Sequence, residues 1–293
     1  MAATRNKIAL GTVQFGLPYG LSNRRGQVPP AEVCEILAYG HQHQIDILDT
    51  AAAYGTSETV LGECLRTAAH AFKIISKLPA ACKPEAVANQ VRHSLQQLRV
   101  HNLYAYLFHD FDNYRQNPAT LDELFKLKAA GLIQHIGFSL YYPHQLEYLW
   151  QHNISFDLVQ LPFNILDQRF AYLFPLLQEK NIQVHVRSVF LQGLLLTPPD
   201  QLHSYFKPLV PVLEQVHQLA VSKNLAINYL CLGFAHLFPA INNLVIGVTS
   251  IADLKANINY LDYLEDVAAI WFELKNLAIT EEAFLLPFNW KTN

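Results

Sequence analysis

The sequence predicts an α/β fold, a (β/α)8 TIM barrel with a C-terminal helix and tail. Eight short apolar runs alternate with longer stretches of helical spacing between residues 8 and 261, which is the pattern of parallel β/α units. Neither G-x-G-x-x-G nor G-x-x-x-x-G-K-[ST] occurs, so the phosphate-binding loops typical of open doubly wound sheets are missing. We therefore expect a closed barrel rather than an open sheet.

The expected strands are short and rich in Ile, Leu, Val, Phe and Tyr. Continuous apolar runs of this length are typical of parallel strands that are buried on both faces. In chain order the runs span 8–10, 45–48, 72–76, 104–108, 133–138, 158–161, 184–189 and 244–248.

The stretches between the strands carry apolar residues at helical spacing, and several have clear end signals. Pro84 occupies a favoured first-turn position, and Gly131 is a stop signal. After the second strand, Thr56 or Ser57 is the expected N-cap of a helix that runs to Arg66. The other helical patterns span 31–43, 84–98, 118–130, 143–151, 169–180, 209–223, 227–238, 253–261 and 270–278. The Pro-rich stretch 197–211 predicts a long loop after the seventh strand, suited to a lid or a substrate loop.

Composition and charge argue against several classes of protein. The chain has 293 residues, of which 51% are hydrophobic and 15% are charged, as in a compact globular protein. We expect one domain over residues 1–293, because no linker or low-complexity segment interrupts the chain. A net charge of −3 provides no basic field for nucleic acid. No apolar run approaches the roughly 20 residues that a membrane span requires.

The cysteines and the N-terminus indicate a cytoplasmic location. Cys34, Cys64, Cys82 and Cys231 are far apart and form no C-x-x-C pair, which argues against a zinc ribbon or a redox dithiol. We expect them to be small apolar residues or free thiols in a reducing compartment. The N-terminus leads directly into a strand without a cleavable apolar segment. The sequence specifies no oligomeric state.

Polar side chains follow three successive expected strands. Asp49 ends the second strand, Lys77 the third and His109 the fourth, while Tyr54 lies on the loop after Asp49. Chemistry in a barrel of this type takes place at the carboxyl ends of the strands, so these four side chains should converge on one mouth. Separately, each has a structural explanation: an ion pair for Asp49 and Lys77, a packed aromatic for Tyr54 and an ordinary histidine for His109. Together they predict a proton-transfer site.

A series of short motifs resembles the aldo-keto reductases in order along the chain. These motifs are LGTVQFG at 10–16, DTA at 49–51 with YG at 54–55, SE at 57–58 and LG at 61–62, ISK at 75–77, LFH at 107–109, IGFS at 136–139, Gln160, RS at 187–188 with QGLL at 192–195, and IGVTS at 246–250 with Asn257. The resemblance extends over residues 7–262, which is most of the chain.

The resemblance implies a nicotinamide-dependent carbonyl reductase, with NADPH as the expected cofactor and NADH as the alternative. It also implies a catalytic tetrad of Asp49, Tyr54, Lys77 and His109. Tyr54 would donate a proton to the carbonyl oxygen. Lys77, held by Asp49, would lower the pKa of this phenol from its usual value of about 10. His109 would orient the carbonyl oxygen through a hydrogen bond.

The resemblance further implies a set of cofactor contacts, with some departures. Leu140 replaces an asparagine that helps to hold the nicotinamide amide, and Arg187 replaces an aromatic residue at the nicotinamide ring. The planar guanidinium of Arg187 can stack there, or else form a salt bridge at the rim. Thr249 and Ser250 at a helix start suit a phosphate, although Ser250 could simply be an N-cap. Asp253 lies near the usual basic contact to the 2′-phosphate, which weakens the preference for NADPH. The expected cofactor residues are Gly11, Thr12, Ser139, Gln160, Arg187, Ser188, Gly193, Gly247, Thr249, Ser250 and Asn257.

The predicted function is the reduction of an aldehyde or ketone to an alcohol, or the reverse reaction. The substrate is expected to be a small carbonyl compound. Polar and aromatic residues expected near the mouth suit a hydroxylated or anionic molecule such as a sugar derivative. These residues are Tyr141, Tyr142, Asn164, Arg187 and Gln192.

Two other functions and two positions of the tail stay open at this point. The chain could be a non-catalytic dinucleotide-binding barrel that acts as a regulatory or partner subunit. A metal-dependent barrel hydrolase would require H-x-H at the end of the first strand, where this chain has Thr12-Val13-Gln14, so no metal site is expected. The tail, residues 282–293, could either close over the mouth or cap the other end of the barrel.

Overall fold

A computed structural model describes residues 5–21, 23–66 and 71–291. Eight parallel strands close into a barrel in chain order, and the last strand pairs with the first. The strands are β1 (Ile8–Gly11), β2 (Ile47–Asp49), β3 (Lys73–Leu78), β4 (Leu103–Phe108), β5 (Ile133–Ser139), β6 (Leu158–Pro162), β7 (Gln183–Arg187) and β8 (Ile241–Gly247). The predicted fold class is confirmed, and each expected apolar run overlaps a strand.

Helices connect the strands and follow the last one. They are α1 (Val13–Gly16), α2 (Pro30–Gln42), α3 (Ser57–Leu65), α4 (Val87–Leu98), α5 (Phe111–Gln116), α6 (Ala119–Ala129), α7 (Pro143–Gln151), α8 (Phe174–Glu179), α9 (Val210–Ser222), α10 (Ile227–His236), α11 (Ile251–Ile258), α12 (Leu264–Ala269), α13 (Trp271–Lys275) and α14 (Glu282–Leu285). In the part of the chain that the structure describes, no helix is both long enough and apolar enough to cross a bilayer.

The helices depart from the sequence prediction where the chain turns tightly. The expected helix 169–180 is a 3-10 turn, Ala171–Leu173, followed by α8. The expected loop 197–211 contains two 3-10 turns, Pro199–Gln201 and Ser204–Leu209. The short helices α1 and α5, of 4 and 6 residues, were not expected. Segments of one turn are too short to show a detectable hydrophobic period.

Successive side chains of each strand point to opposite faces of the barrel wall, so the apolar core has two parts. One cluster fills the barrel interior with Ala9, Ile47, Ile75, Ala105, Leu107, Leu158 and Val245. The opposite strand faces pack against the helices and form the main core. On β7, Val184 and Val186 belong to the main core, so Gln183, His185 and Arg187 share the interior face. This alternation brings Arg187 to the carboxyl end of the barrel interior.

The loop between β2 and α3 is held by close backbone packing and buried hydroxyls. A Cβ on Gly16 would overlap the backbone of Tyr54 and Ser57, so glycine allows α1 to approach this loop. Ser57 Oγ donates to Thr12 O at 2.9 Å. Thr56 precedes α3 without a capping hydrogen bond from its side chain. Of the two expected N-caps, Thr56 therefore occupies the N-cap position without making the capping bond, whereas Ser57 is already helical and its hydroxyl turns toward Thr12.

Two of the cysteines are bonded to each other. Cys34 on α2 and Cys64 on α3 form a disulfide across a sequence separation of 30 residues, with Cα atoms 5.1 Å apart. The expectation of free thiols is wrong for this pair, because α2 packs beside α3 and brings distant positions together. Cys82 and Cys231 are free and buried, as expected.

The C-terminal tail packs at the carboxyl end of the barrel. The Phe288 ring contacts the ring of Tyr141, which follows β5, at a centroid distance of 5.1 Å. Trp290 packs on Phe206 at 4.9 Å. Of the two positions considered for the tail, the structure has the one beside the mouth. The tail helix predicted at 270–278 is the shorter α13.

Candidate active site

A cavity of about 730 Å³ opens at the carboxyl ends of the strands, within the size range of small-molecule sites. Most residues of the predicted site line it: Gly11, Thr12, Asp49, Tyr54, His109, Ser139, Gln160, Arg187, Ser188, Gly193, Gly247, Thr249 and Asn257. Lys77 lies behind the wall, bonded to Asp49. Ser250 does not line the cavity.

Asp49 and Lys77 form a buried ion pair at the ends of β2 and β3. Lys77 Nζ lies 2.6 Å from Asp49 Oδ1 and also donates to Thr50 O at 2.8 Å. The second carboxylate oxygen of Asp49 accepts from Gln160 Nε2 at 2.6 Å. Buried ion pairs are tolerated when extra hydrogen bonds satisfy the remaining groups, as they do here. Burial lowers the pKa of Lys77, but the charges and hydrogen bonds of Asp49 and Tyr54 together outweigh it and the net shift is upward, so Lys77 stays a cation.

Tyr54 places its phenol above this pair. Lys77 Nζ donates to Tyr54 Oη at 3.5 Å. Burial raises the pKa of Tyr54, and the charge of Lys77 offsets only part of that increase. The expected net lowering of the Tyr54 pKa is therefore wrong for the chain alone, because loss of water around the phenol has the larger effect. A raised pKa keeps Tyr54 protonated, which is the state that a proton donor requires.

His109 faces Tyr54 across the floor of the cavity. The two rings meet edge to face with centroids 5.7 Å apart. Burial, followed by the charges of Lys77 and Arg187, lowers the pKa of His109 to about 3. The imidazole is thus neutral near pH 7, with one N–H donor and one acceptor nitrogen. It can hold an oxygen atom by a hydrogen bond without adding a charge.

These groups together form an arrangement that can polarise and protonate a carbonyl oxygen. A neutral phenol supplies a proton, a neutral imidazole supplies a second hydrogen bond, and a fixed cation lies beneath the phenol. The four residues come from the carboxyl ends of three successive strands, β2, β3 and β4, and from the loops after β2 and β4, which is how barrels of this class position reacting groups.

The two residues before α11 form hydrogen bonds with Asp253 in its first turn. Thr249 donates to Asp253 Oδ2 from its backbone nitrogen at 2.8 Å and from its hydroxyl at 2.7 Å. Ser250 Oγ accepts from Asp253 N at 3.1 Å and caps the helix. Of the two alternatives for Ser250, the structure has the N-cap.

A buried acceptor in the cavity wall lacks a donor. Gln14 Oε1 has no hydrogen-bond partner among the described residues. The Gln14 amide lies against Gly247, where a Cβ would come 2.5 Å from Gln14 Oε1. Gly247 therefore leaves room for this amide at the end of β8. An unpaired buried acceptor is costly, and a ligand hydroxyl or amide could satisfy it.

Arg187 projects into the cavity from the end of β7. Its guanidinium lies over the Tyr141 ring, with Cζ 4.1 Å from the ring centroid, and Nη2 donates to Leu140 O at 3.2 Å. Within residues 5–21, 23–66 and 71–291, no carboxylate lies within ion-pair distance of it. The rim salt bridge considered for Arg187 is absent there.

Several lining residues were not identified from the sequence. The loop after β1 contributes Tyr19, whose hydroxyl accepts from Gln192 Nε2 at 2.8 Å across the mouth. Arg25 on the same loop is not part of the cavity lining; it pairs with Glu32 at 2.8 Å and donates from Nη1 to Thr249 O at 2.6 Å. Asn228 on α10 donates to Asn257 Oδ1 at 3.0 Å. No local pattern marks these residues, because their partners are far away in the sequence.

Two residues expected near the substrate do not line the cavity. Asn164 is fully buried and donates to Ser188 O at 3.0 Å, so it holds the chain after β7. Tyr142 precedes α7 and takes part in a capping box with Gln145. Both are structural in this fold. Among the described residues, no three potential metal-ligating side chains come together.

Comparisons with known proteins identify similar sequences and folds. Residues 7–274 match the model of the Aldo/keto reductase family. The aldo-keto reductase AKR11C1 from Bacillus halodurans, in its holo form, is 19% identical, with a TM-score of 0.75 over 94% of each chain. PA4992, a candidate aldo-keto reductase from Pseudomonas aeruginosa, is 18% identical, with a TM-score of 0.68 over 88% of this chain and 90% of that chain. No curated protein matches by sequence.

Proposed function

The chain belongs to the aldo/keto reductase family of NAD(P)H-dependent oxidoreductases, and we propose that it reduces an aldehyde or ketone with a proton from Tyr54. The contact series Asp49–Lys77–Tyr54, with His109 beside it, carries this proposal. It joins a protonated phenol to a buried cation at the mouth of the barrel. General acid catalysis by a positioned side chain typically contributes ~10²–10⁴-fold.

In the proposed mechanism, the bound cofactor supplies the hydride to the carbonyl carbon. Tyr54 Oη donates its proton to the carbonyl oxygen, which becomes the alcohol oxygen. Lys77 stabilises the resulting phenolate, since an ammonium 3.5 Å from the phenol oxygen favours the charged form. Asp49 keeps Lys77 in position, and the neutral His109 donates a hydrogen bond to the carbonyl oxygen. In the oxidation of an alcohol, the same proton returns to Tyr54.

A nicotinamide dinucleotide fits the remaining part of the cavity. Gln14 Oε1 is an unsatisfied acceptor in the wall, and a ribose hydroxyl or a carboxamide is the kind of donor that it lacks. Ser139 and Gln160 are the proposed partners of the nicotinamide amide, although Gln160 also binds Asp49. The remaining proposed contacts come from Gly11, Thr12, Arg187, Ser188, Gly193, Gly247, Thr249 and Asn257.

We propose NADPH as the preferred form of the cofactor. Arg25 supports this preference, because its guanidinium lies beside Thr249. It pairs with Glu32 at 2.8 Å, and we propose that a phosphate binds to its remaining N–H donors. Asp253 acts against it with a carboxylate in the cavity wall. Fluorescence titration of the protein with NADPH and NADH tests the balance. Tighter binding of NADPH that is lost in Arg25→Met supports the proposal, whereas tighter binding of NADH contradicts it.

The substrate is proposed to be a small hydroxylated carbonyl compound such as a sugar derivative. The cavity wall carries polar groups on Tyr19, Tyr141 and Gln192. Hydroxyl and amide groups of this kind pair with substrate hydroxyls and leave few of them unsatisfied.

Turnover of NADPH with a panel of small aldehydes and hydroxylated aldehydes tests the proposed reduction. We expect oxidation of NADPH that depends on the aldehyde and on Tyr54. Tight binding of NADPH without turnover across the panel would instead favour the regulatory or partner-subunit alternative.

A cytoplasmic location also stays a prediction. The Cys34–Cys64 disulfide contradicts the argument from free thiols, because disulfides persist mainly in oxidising compartments. Localisation of a tagged chain in intact cells, together with the thiol state of Cys34, tests it directly.

A further inference from the structure

Arg187 has hydrogen-bonding capacity that the described chain does not use. A guanidinium has five N–H donors. In Arg187, Nη2 donates to Leu140 O at 3.2 Å, and Nη1 donates to Ser188 Oγ at 3.5 Å. No carboxylate of the described residues is within ion-pair distance. The cavity thus presents a cation with free donors, which is the usual provision for binding an anion.

The guanidinium is held in place before any ligand arrives. One of its faces lies on the Tyr141 ring at 4.1 Å, a favourable cation–π geometry. Tyr141 is itself packed against Phe288 of the tail at 5.1 Å. Because the side chain is already oriented, binding through its free edge requires little loss of conformational freedom.

Arg187 lies close enough to the reacting groups to share one small ligand with them. It lines the same cavity as Tyr54 and His109. Burial raises the pKa of Tyr54 and lowers that of His109, and the charge of Arg187 adds a smaller downward contribution to both, after that of Lys77. A molecule with its carbonyl oxygen at Tyr54 could therefore place a second polar group at Arg187.

The charges at this end of the cavity favour an anion. Asp49 binds Lys77 and Gln160, and the carboxylate of Asp253, after β8, accepts two hydrogen bonds from Thr249. Lys77 and Arg187 are thus two cations against the single carboxylate of Asp49. A cleft with an excess of one charge attracts ligands of the opposite charge.

We propose that the substrate carries an anionic group, a carboxylate or a phosphate monoester, that binds to the guanidinium edge of Arg187 while its carbonyl oxygen faces Tyr54. The proposal rests on the proposed reduction and narrows its substrate class. It is compatible with stacking of the other guanidinium face on the nicotinamide ring, because a face and an edge are separate surfaces.

The experiment compares matched charged and neutral substrates in four forms of the protein. The first pair is 4-oxobutanoate and its methyl ester, and the second is glyceraldehyde 3-phosphate and glyceraldehyde. Each is assayed with NADPH using the wild type, Arg187→Met, Arg187→Lys and the control Lys207→Met. Lys207 is an exposed cation on the loop after β7 and does not line the cavity. NADPH affinity is measured in parallel by fluorescence.

We expect kcat/KM to favour the charged member of at least one pair in the wild type, and the preferred pair identifies carboxylate or phosphate. Arg187→Met should lower the charged-to-neutral ratio roughly 10–100-fold, chiefly through KM, as loss of a charge-assisted hydrogen bond predicts. Arg187→Lys should keep part of the preference, and Lys207→Met should keep all of it. If Arg187→Met lowered kcat/KM equally for charged and neutral substrates and also weakened NADPH binding, the proposal would be overturned. Arg187 would then be a cofactor contact only.

Failure of the reductase proposal gives a different result. If neither member of either pair is turned over, the proposed reaction is wrong, and calorimetric titration of the wild type with 4-oxobutanoate and glyceraldehyde 3-phosphate then tests the anion site alone. Binding that disappears in Arg187→Met supports the site. Absence of binding of both anions to the wild type overturns it.

Discussion

Lys77 illustrates how strongly single residues of this site depend on one another. It is 1% exposed and carries a charge that Asp49 and the carbonyl of Thr50 make tolerable. Removing one member of a buried pair leaves an uncompensated charge, which costs about 3–5 kcal/mol. The pair is therefore both a structural element and the proposed electrostatic support of Tyr54.

Lys77→Met is predicted to abolish most turnover and to lower the melting temperature, because Asp49 is left buried without a cation. The double variant Lys77→Met/Asp49→Asn should recover stability, since the unpaired charge is gone, but not activity. Thermal denaturation and NADPH oxidation assays measure the two effects. A double variant as unstable as the single one would contradict the ion-pair interpretation, and retained turnover in either would contradict the role of Lys77.

His109 is predicted to act as a neutral hydrogen-bond donor rather than as a titrating acid. Its pKa is lowered to about 3, so its protonation does not change between pH 5 and 8. The pH profile of kcat should therefore have no inflection due to His109 in that range, and His109→Gln should lower kcat without changing the shape of the profile. An inflection near pH 6.5 that vanishes in His109→Gln would contradict this assignment.

The four residues of the proposed site were predictable because each one follows an apolar strand and belongs to a motif of short range. Arg25 and Tyr19 were not, because their roles depend on Thr249 and Gln192, more than 170 positions away. The net direction of the Tyr54 pKa shift could not be predicted from the sequence either. It depends on how much water the folded chain removes from the phenol.

At the scale of elements, α2 and α3 are joined by the Cys34–Cys64 disulfide. Closing a loop of 30 residues reduces the freedom of the unfolded chain; the loop-entropy model puts this stabilisation at roughly 3.6 kcal/mol. Helix α3 follows the loop that carries Tyr54, so the bond also supports one side of the proposed site.

Cys34→Ser/Cys64→Ser is predicted to lower the free energy of unfolding by roughly 3.6 kcal/mol. Denaturant titration measures it, and a reducing agent should destabilise the wild type similarly while leaving the double variant unchanged. Cys82→Ser with the disulfide intact is the control for loss of a buried thiol. Equal stability of the reduced and oxidised wild type would contradict the predicted contribution.

The strands were predictable as elements because burial on both faces leaves a continuous apolar run that is visible locally. The choice between Thr56 and Ser57 as the N-cap of α3 was not, since Ser57 lies inside the helix and its hydroxyl donates to Thr12, the residue after β1, rather than within its own helix. The disulfide escaped prediction for the same reason. Cysteine spacing alone does not report which helices pack side by side.

Buried histidines govern the acid stability expected of the whole molecule. Burial lowers the pKa of His185 to about 3 and that of His236 to about 4, against about 6.5 in an unfolded chain. Between these values the unfolded state binds more protons than the folded state, so stability is lost as pH falls below 6.5. The stability that these groups contribute is fully present above about pH 7.

His185→Leu is predicted to reduce the loss of stability between pH 7.5 and 5.5 by about 1 kcal/mol. Both ring nitrogens of His185 lack partners in the described chain, so the substitution breaks no hydrogen bond there. Urea titrations at the two pH values measure the effect. The exposed His152, substituted in the same way, is the control for loss of an imidazole at the surface. An identical pH dependence in wild type and His185→Leu would contradict the assignment.

At the scale of the whole chain, the alternation of strands and helices was enough to predict a closed barrel. The side of the barrel on which the tail packs was not, because Phe288 and Trp290 could have met apolar surface at either end. The single-domain organisation over residues 1–293 stays a prediction.

The measurement that tests the central claim most directly is a comparison of wild type and Tyr54→Phe under single-turnover conditions with bound NADPH. The substitution removes only the phenol oxygen. We predict that the rate of carbonyl reduction falls by ~100-fold or more, while the dissociation constant for NADPH measured by fluorescence stays within about twofold, since Tyr54 acts on the carbonyl oxygen. A Tyr54→Phe variant that binds NADPH normally and reduces the aldehyde at the wild-type rate would contradict the assignment of Tyr54 as the proton donor.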